Sequence, residues 1–146
     1  MTTAVTRNPI CEHLPFIYEK IMASKHAVLV ANTGAGKSTE VAPYMYDAFP
    51  DGNVIQCTTR VAATQKNGRR VQATSGVYTS IKTGDTQHAD WRAPMVFCTT
   101  GSLVGRLCND PSMLKTCALL IFDEVHEDCW ERDFLLWVIR ETGHLY

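Results

Sequence analysis

Short apolar runs alternate with amphipathic stretches along this chain, and the alternation sets the expected architecture. His26-Ala27-Val28-Leu29-Val30-Ala31 is apolar almost throughout and ends in a glycine-rich loop, the pattern of a strand buried on both faces. Asn53 to Cys57, Gly76 to Lys82, Pro94 to Cys98 and Ala118 to Phe122 supply further strand-like segments. Helical patterns lie between them. Asn8-Pro9 offers a cap and a first-turn proline, and Ile10 to Ser24 sets Leu14, Ile17, Ile21 and Met22 at helical spacing, with Pro15 expected to delay or kink the helix. Lys37 to Ala48 reads as a helix broken or bent near Pro43, and Arg60 to Ala73 as another. Thr100 is expected to cap a short helix through Leu107, and a last helix carries Phe134, Leu135, Val138 and Ile139. Strands alternating with helices predict an α/β fold, a parallel sheet sandwiched by helices, with ligands beyond the carboxyl ends of the strands.

Length and composition narrow this picture without redirecting it. At 146 residues the chain has room for one domain, large enough to bury a core without a disulfide or metal staple. The formal net charge is −1, from 14 basic and 15 acidic residues, so any hold on nucleic acid must come from a local patch. The six cysteines include no CxxC pair and no cluster at zinc spacing, which predicts reduced thiols in an intracellular protein. The amino-terminal MTTAVTRNP has no apolar core, and no apolar stretch reaches membrane-spanning length, so no membrane partner is expected. Repeats and low-complexity tracts are absent from the sequence.

Ala31-Asn32-Thr33-Gly34-Ala35-Gly36-Lys37-Ser38 fits a phosphate-binding loop, with Ala in place of the first Gly. Glycines at Gly34 and Gly36 let the backbone turn so that successive amides point into one concavity. The helix starting near Lys37 adds the positive end of its dipole. Lys37 has the reach for β- and γ-phosphates, and the Ser38 hydroxyl can ligate Mg²⁺. A chance glycine-rich turn would need neither the apolar run before it nor the helix after it.

A second chemical signal stands at a strand end. Ala118-Leu119-Leu120-Ile121-Phe122 runs directly into Asp123-Glu124-Val125-His126. An apolar strand that delivers an Asp to the carboxyl edge of a sheet suits a Mg²⁺-nucleotide site, Asp123 holding the metal and Glu124 orienting or deprotonating the attacking water. Alone it would read as an acidic turn; paired with the phosphate loop it reads as the other half of one site.

Thr33-Gly34-Ala35-Gly36-Lys37-Ser38-Thr39 together with Asp123-Glu124-Val125-His126 resembles the first RecA-like domain of DEAH-type superfamily 2 helicases. Thr59-Arg60-Val61-Ala62-Ala63 looks like the family's motif Ia, and Cys98-Thr99-Thr100-Gly101-Ser102-Leu103 like its Thr-Thr-Gly motif. Glu127 and Asp133 keep the spacing of cellular DEAH proteins. The resemblance spans roughly Ile10 to Val138. It implies a P-loop NTPase fold, ATP or another NTP with Mg²⁺ as cofactors, and single-stranded RNA or DNA as partner, RNA being favoured. The implied catalytic set is Lys37, Asp123, Glu124 and His126, with Thr33 to Thr39 (Ala35 among them) around the nucleotide and Ser38 and Asp123 on the metal. Arg60, Thr99, Thr100 and Gly101 would contact the nucleic-acid backbone. Val125 replaces the usual Ala, and Thr58-Thr59 stand where cellular members have Pro-Arg, which removes one cation. The loop with Pro43 beyond it and the Thr-Arg-Val-Ala-Ala run are similar to flavivirus-type helicases too, so cellular and viral origins both stay open.

The domain is expected to run over 1–146 and to be truncated, with 1–25 as a helical lead-in. The family's Ser-Ala-Thr motif does not occur in the sequence, nor does a second RecA-like domain, which by resemblance supplies arginine fingers in cis or in trans. The leading expectation is the first motor domain of a helicase, slow in turnover and unable to unwind duplexes alone. The rival is a catalytically weak nucleotide- or nucleic-acid-binding module that regulates a full-length helicase. Lys66, Arg69 and Arg70 read as a solvated helix face, Trp91 and Trp130 as core cover, and His13, His88 and His144 carry no site signal.

Overall fold

The computed structural model describes residues 8–86 and 88–142. Asn53–Thr58 (β1), Thr79–Lys82 (β2), Met95–Thr99 (β3) and Cys117–Phe122 (β4) pair as one parallel sheet in the spatial order β2-β3-β1-β4. Every residue of β1 and β3 is buried, as expected for central strands covered on both faces. Register is set by apolar pairs such as Ile55 opposite Val96 on one side and Leu120 on the other.

Alternate residues of these strands feed two cores. Val54, Met95 and Phe97 face Leu14 and Ile17 of α1 (Leu14–Ser24), Val41 and Met45 of α2 (Lys37–Ala48) and Val71 of α3 (Val61–Ser75). Ile55, Cys57, Val96 and Cys98 face the other way, onto Leu103 and Leu107 of α4 (Thr100–Asn109) and Leu135 of α5 (Trp130–Thr142). Full burial of one such side chain is worth about 1.5–3 kcal/mol, so each core outweighs any single polar contact in the molecule. Helix α3 approaches β2 so closely that a Cβ on Gly68 would fall 2.7 Å from Ile81 Cγ1, which makes glycine obligatory there.

Several local expectations need correction. The run His26–Ala31 is not a strand: Val28 is 87% and Val30 89% exposed, and no described strand pairs with it. Apolarity asks for burial, but a strand also needs a neighbour within hydrogen-bonding reach, and 26–31 pairs with neither open edge of the sheet, that of β2 or that of β4. Helix α2 passes through Pro43 without a break, held by the buried side chains of Val41, Ala42 and Met45 around it. Pro15 sits in the first turn of α1, where its missing N–H has no intrahelical partner to lose. A 3₁₀ turn, Pro9–His13, precedes that helix. The cap of α4 is Thr99, not Thr100, and the helix runs on to Asn109. Among the described side chains of α5 only Leu135 is fully buried, while Trp130, Leu136 and Trp137 are exposed. Among the described residues no helix is long and apolar enough to cross a membrane. Residues 1–7 of the expected lead-in, and His144, lie outside the described residues.

Candidate nucleotide and nucleic-acid site

The phosphate loop is fixed by two glycines and by the segment before α1. Gly34 and Gly36 adopt φ of +81° and +96°, backbone conformations that L side chains rarely adopt. At Gly36 a Cβ would also lie 2.6 Å from Asn8 Cβ, so two independent constraints demand glycine. The Asn8 side-chain amide donates to Glu40 in the first turn of α2, and the Ile10 amide donates to the Ala35 carbonyl at 3.1 Å. These contacts brace the loop from outside the sheet. Thr33 and Gly34 are exposed, and Ala35, Gly36, Lys37, Ser38 and Thr39 are half-buried. Lys37 Nζ donates to the carbonyls of Ala31 (2.6 Å) and Asn32 (3.1 Å), which holds the ammonium over its own loop. The result is a cation beside a helix amino terminus, the two elements that attract a phosphate.

The acidic motif continues the sheet by one step. The Asp123 amide donates to the Cys57 carbonyl at 2.9 Å, extending the ladder between β1 and β4. Glu124 then turns into the left-handed region (φ +56°), and its amide donates to Asp123 Oδ1 at 3.0 Å. A further bond from the Glu127 amide to the Glu124 carbonyl closes the turn. Glu124 and His126 project outward, with His126 Nδ1 3.4 Å from Glu124 Oε2. Arg132 clamps the turn from α5, donating to the carbonyls of Val125 and Glu127 and to the Asp133 carboxylate.

The two motifs meet through Gln56. This β1 side chain is 1% exposed, and its amide nitrogen donates to the Ser38 carbonyl and to Asp123 Oδ2, each at 3.2 Å. The Ser38 backbone carbonyl and Asp123 Oδ2, on the two residues expected on the metal, therefore share one donor. Nothing in the pattern of apolar and polar positions singled out Gln56 as a site residue. The available signal was a long polar side chain inside an otherwise apolar strand, which must find partners if it is buried.

The residues expected to hold nucleic acid are not alike. Arg60 forms an ion pair with Glu127, and the Thr59 hydroxyl donates to the same carboxylate. Those contacts, Thr59 first and Arg60 after it, hold the Glu127 carboxyl below its ordinary value. Thr99 and Thr100 are buried: Thr99 Oγ1 caps α4 and lies 2.8 Å from Ser102 Oγ, and Thr100 Oγ1 lies 3.4 Å from Cys129 Sγ. Gly101 is exposed beside them. Lys66, Arg69 and Arg70 form an exposed face of α3. Trp91 is half-buried against the second core, while Trp130 is 68% exposed and covers little. Burial pushes the thiols of Cys57 and Cys98 up, and that of Cys117 to about 11, so these cysteines are protonated packing residues at neutral pH.

The family model for the DEAD/DEAH box helicases matches residues 16–134, and the chain belongs to that family. It is 30% identical to the ATP-dependent RNA helicase dhx29 of Xenopus laevis over 93% of this chain and 11% of that protein. Identity to the chloroplastic DExH-box ATP-dependent RNA helicase DExH4 of Arabidopsis thaliana is 31%, over 90% of this chain and 10% of that one. The chain thus spans about a tenth of the length of these relatives. Two solved structures of the Escherichia coli DEAH/RHA helicase HrpB share its fold, with TM-scores of 0.83 and 0.86 at 24% and 23% identity. They are covered over 93% and 98% of this chain and 18% of each of theirs. The fold and the family together define the N-terminal RecA-like domain of a DEAH-like superfamily 2 helicase.

Proposed function

We propose that this chain binds an NTP with Mg²⁺ and hydrolyses it as the first motor domain of a nucleic-acid helicase, with RNA as the substrate. The observation that carries the reading is the joining of the phosphate loop to Asp123 through one buried side chain. Amides around Gly34 and Gly36 receive phosphate oxygens, and the Lys37 ammonium moves from its loop carbonyls to the β- and γ-phosphates. Ser38 and Asp123 fit a small hard cation, because both side chains offer oxygen ligands and Gln56 ties the Ser38 backbone to the Asp123 carboxylate. Mg²⁺ bound there would neutralise charge developing on the phosphates. Glu124, exposed at the turn, orients the attacking water and accepts its proton, and His126 beside it relays the state of the nucleotide.

Nucleic acid would lie along the ends of β1 and β3. Arg60, whose side chain is 75% exposed, supplies a phosphate cation there, and the exposed Gly101 backbone supplies an amide. Thr99 and Thr100 then act by shaping the α4 amino terminus, since their hydroxyls are engaged within the protein. RNA is favoured over DNA because the relatives named above are RNA helicases. Further chain is proposed to complete the domain and to supply the second RecA-like domain. Without an arginine finger, turnover should fall by about three to five orders of magnitude relative to a complete motor.

The test is phosphate release by the purified chain, with and without single-stranded RNA, beside Arg60→Ala. Slow release that RNA accelerates, with the acceleration lost in Arg60→Ala, supports the motor reading. Nucleotide binding with no turnover under any condition would support the rival, a nucleotide-binding module that regulates a full-length helicase.

A further inference from the structure

Gln56 sits in the middle of β1, in a sequence where every residue is buried, and its neighbours on the strand are Ile55 and Cys57. An amide in such surroundings costs stability unless its polar atoms are satisfied. Its nitrogen has two partners, the Ser38 carbonyl and the Asp123 carboxylate, and both are acceptors only. That chemistry fixes the orientation of the amide, because the reversed group would turn its oxygen toward two oxygens. Its own oxygen, Oε1, is buried and has no hydrogen-bond partner. One end of the side chain is therefore a strut between the two halves of the site, and the other end is enclosed within the sheet and its covering helices.

We infer that Gln56 is a positioning residue for the metal, its amide nitrogen fixing the Asp123 carboxylate against the start of α2 at Ser38. The inference rests on the proposed NTP·Mg²⁺ reading of the site. Three features of the geometry support it. Each Asp123 oxygen accepts one donor, Oδ2 from Gln56 and Oδ1 from the Glu124 amide, which fixes the carboxylate and leaves a lone pair on each oxygen for a cation. The strut links a strand end to a helix amino terminus, elements that otherwise share no side-chain bond at this point. Finally, Oε1 is buried without a partner, so the amide is held by its nitrogen alone, and its bonds to Ser38 and Asp123 decide where the side chain sits. Gln56 touches no phosphate by this account and takes no part in proton transfer.

Removing a partner of this sort from a metal ligand typically lowers metal affinity by about 10- to 100-fold. The experiment compares the wild-type chain with Gln56→Met, which keeps length and apolar packing, and Gln56→Asn, whose amide is too short to span the gap. Mn²⁺ affinity is read by electron paramagnetic resonance in the presence of a nucleotide, and binding of a fluorescent NTP is read with Mg²⁺ and with chelator. Circular dichroism reports the fold of each variant, and Gln56→Asn carries the test if Gln56→Met fails to fold. The expected result is a loss of Mn²⁺ affinity of about 10-fold or more, with nucleotide affinity in chelator unchanged. Folded variants that hold Mn²⁺ as tightly as wild type would overturn the inference and leave the nucleotide reading intact. Failure of the wild-type chain to gain nucleotide affinity from Mg²⁺ would instead remove the reading beneath it.

Discussion

Two equally apolar segments of this molecule have opposite fates. In β1 and β3, Val54, Ile55, Met95 and Val96 are at most 1% exposed, whereas Val28 and Val30, in the approach to the phosphate loop, are 87% and 89% exposed. The difference is not composition but neighbours. Strands β1 and β3 each pair on both sides and carry helices on both faces, while 26–31 lies beyond the ladders of the sheet. The phosphate loop is consequently held through α2, Asn8 and Ile10, and by Gln56 reaching up from the sheet. One half of the domain is a packed core that sets stability; the other is a braced loop to which the proposed nucleotide binding is assigned.

That division predicts graded effects. Phe97→Ala, which empties the core between β3 and the helices α2 and α3, should destabilise the chain by about 3–5 kcal/mol in urea unfolding, whereas Val30→Ser should stay within about 0.5 kcal/mol. Comparable losses from the two would mean that 26–31 is packed after all. A smaller effect, about 1–3 kcal/mol, is expected for Gly36→Ala, because alanine must hold φ near +96° and displace Asn8. That variant should also lose nucleotide affinity, and isothermal titration showing wild-type binding would contradict the bracing of the loop by Asn8.

The smallest effect concerns the turn that joins the two halves. Thr59 and Arg60 lower the Glu127 carboxyl below its unfolded value of 4.5, so the carboxylate's contribution is fully present above that pH. It is lost as the pH falls through the lowered folded value. Glu127→Gln should therefore lower the neutral plateau by that small contribution, converge with wild type in acid and so flatten the acid limb of a stability-against-pH curve. An acid limb identical to wild type would show that the contact with Thr59 and Arg60 does not persist in solution.

Much of this organisation was legible in the residues. The bounds of α2, the four paired strands and the order of the motifs follow from periodicity and glycine placement. Sequence fell short where the outcome depended on partners distant along the chain. The run at 26–31 has the composition of a strand, yet pairing is decided by which edge lies beside it. Pro43 should break a helix in isolation, but burial of Val41 and Met45 holds it. At the candidate site, the loop around Lys37 and the Asp123-Glu124 run could be picked out because each is a contiguous local pattern. Gln56 and the contact of Arg60 with Glu127 were not, since both join residues far apart in sequence. A polar residue inside a buried strand is the one clue that a closer reading could have used.

The most direct measurement is the affinity of a fluorescent NTP for the purified chain in Mg²⁺, set beside Lys37→Ala and Glu124→Gln. The account predicts binding by wild type and by Glu124→Gln, loss of binding in Lys37→Ala, and no change in the unfolding midpoint of Lys37→Ala large enough to explain that loss. Lys37→Ala binding the nucleotide as wild type does would contradict the claim that this loop is the phosphate site.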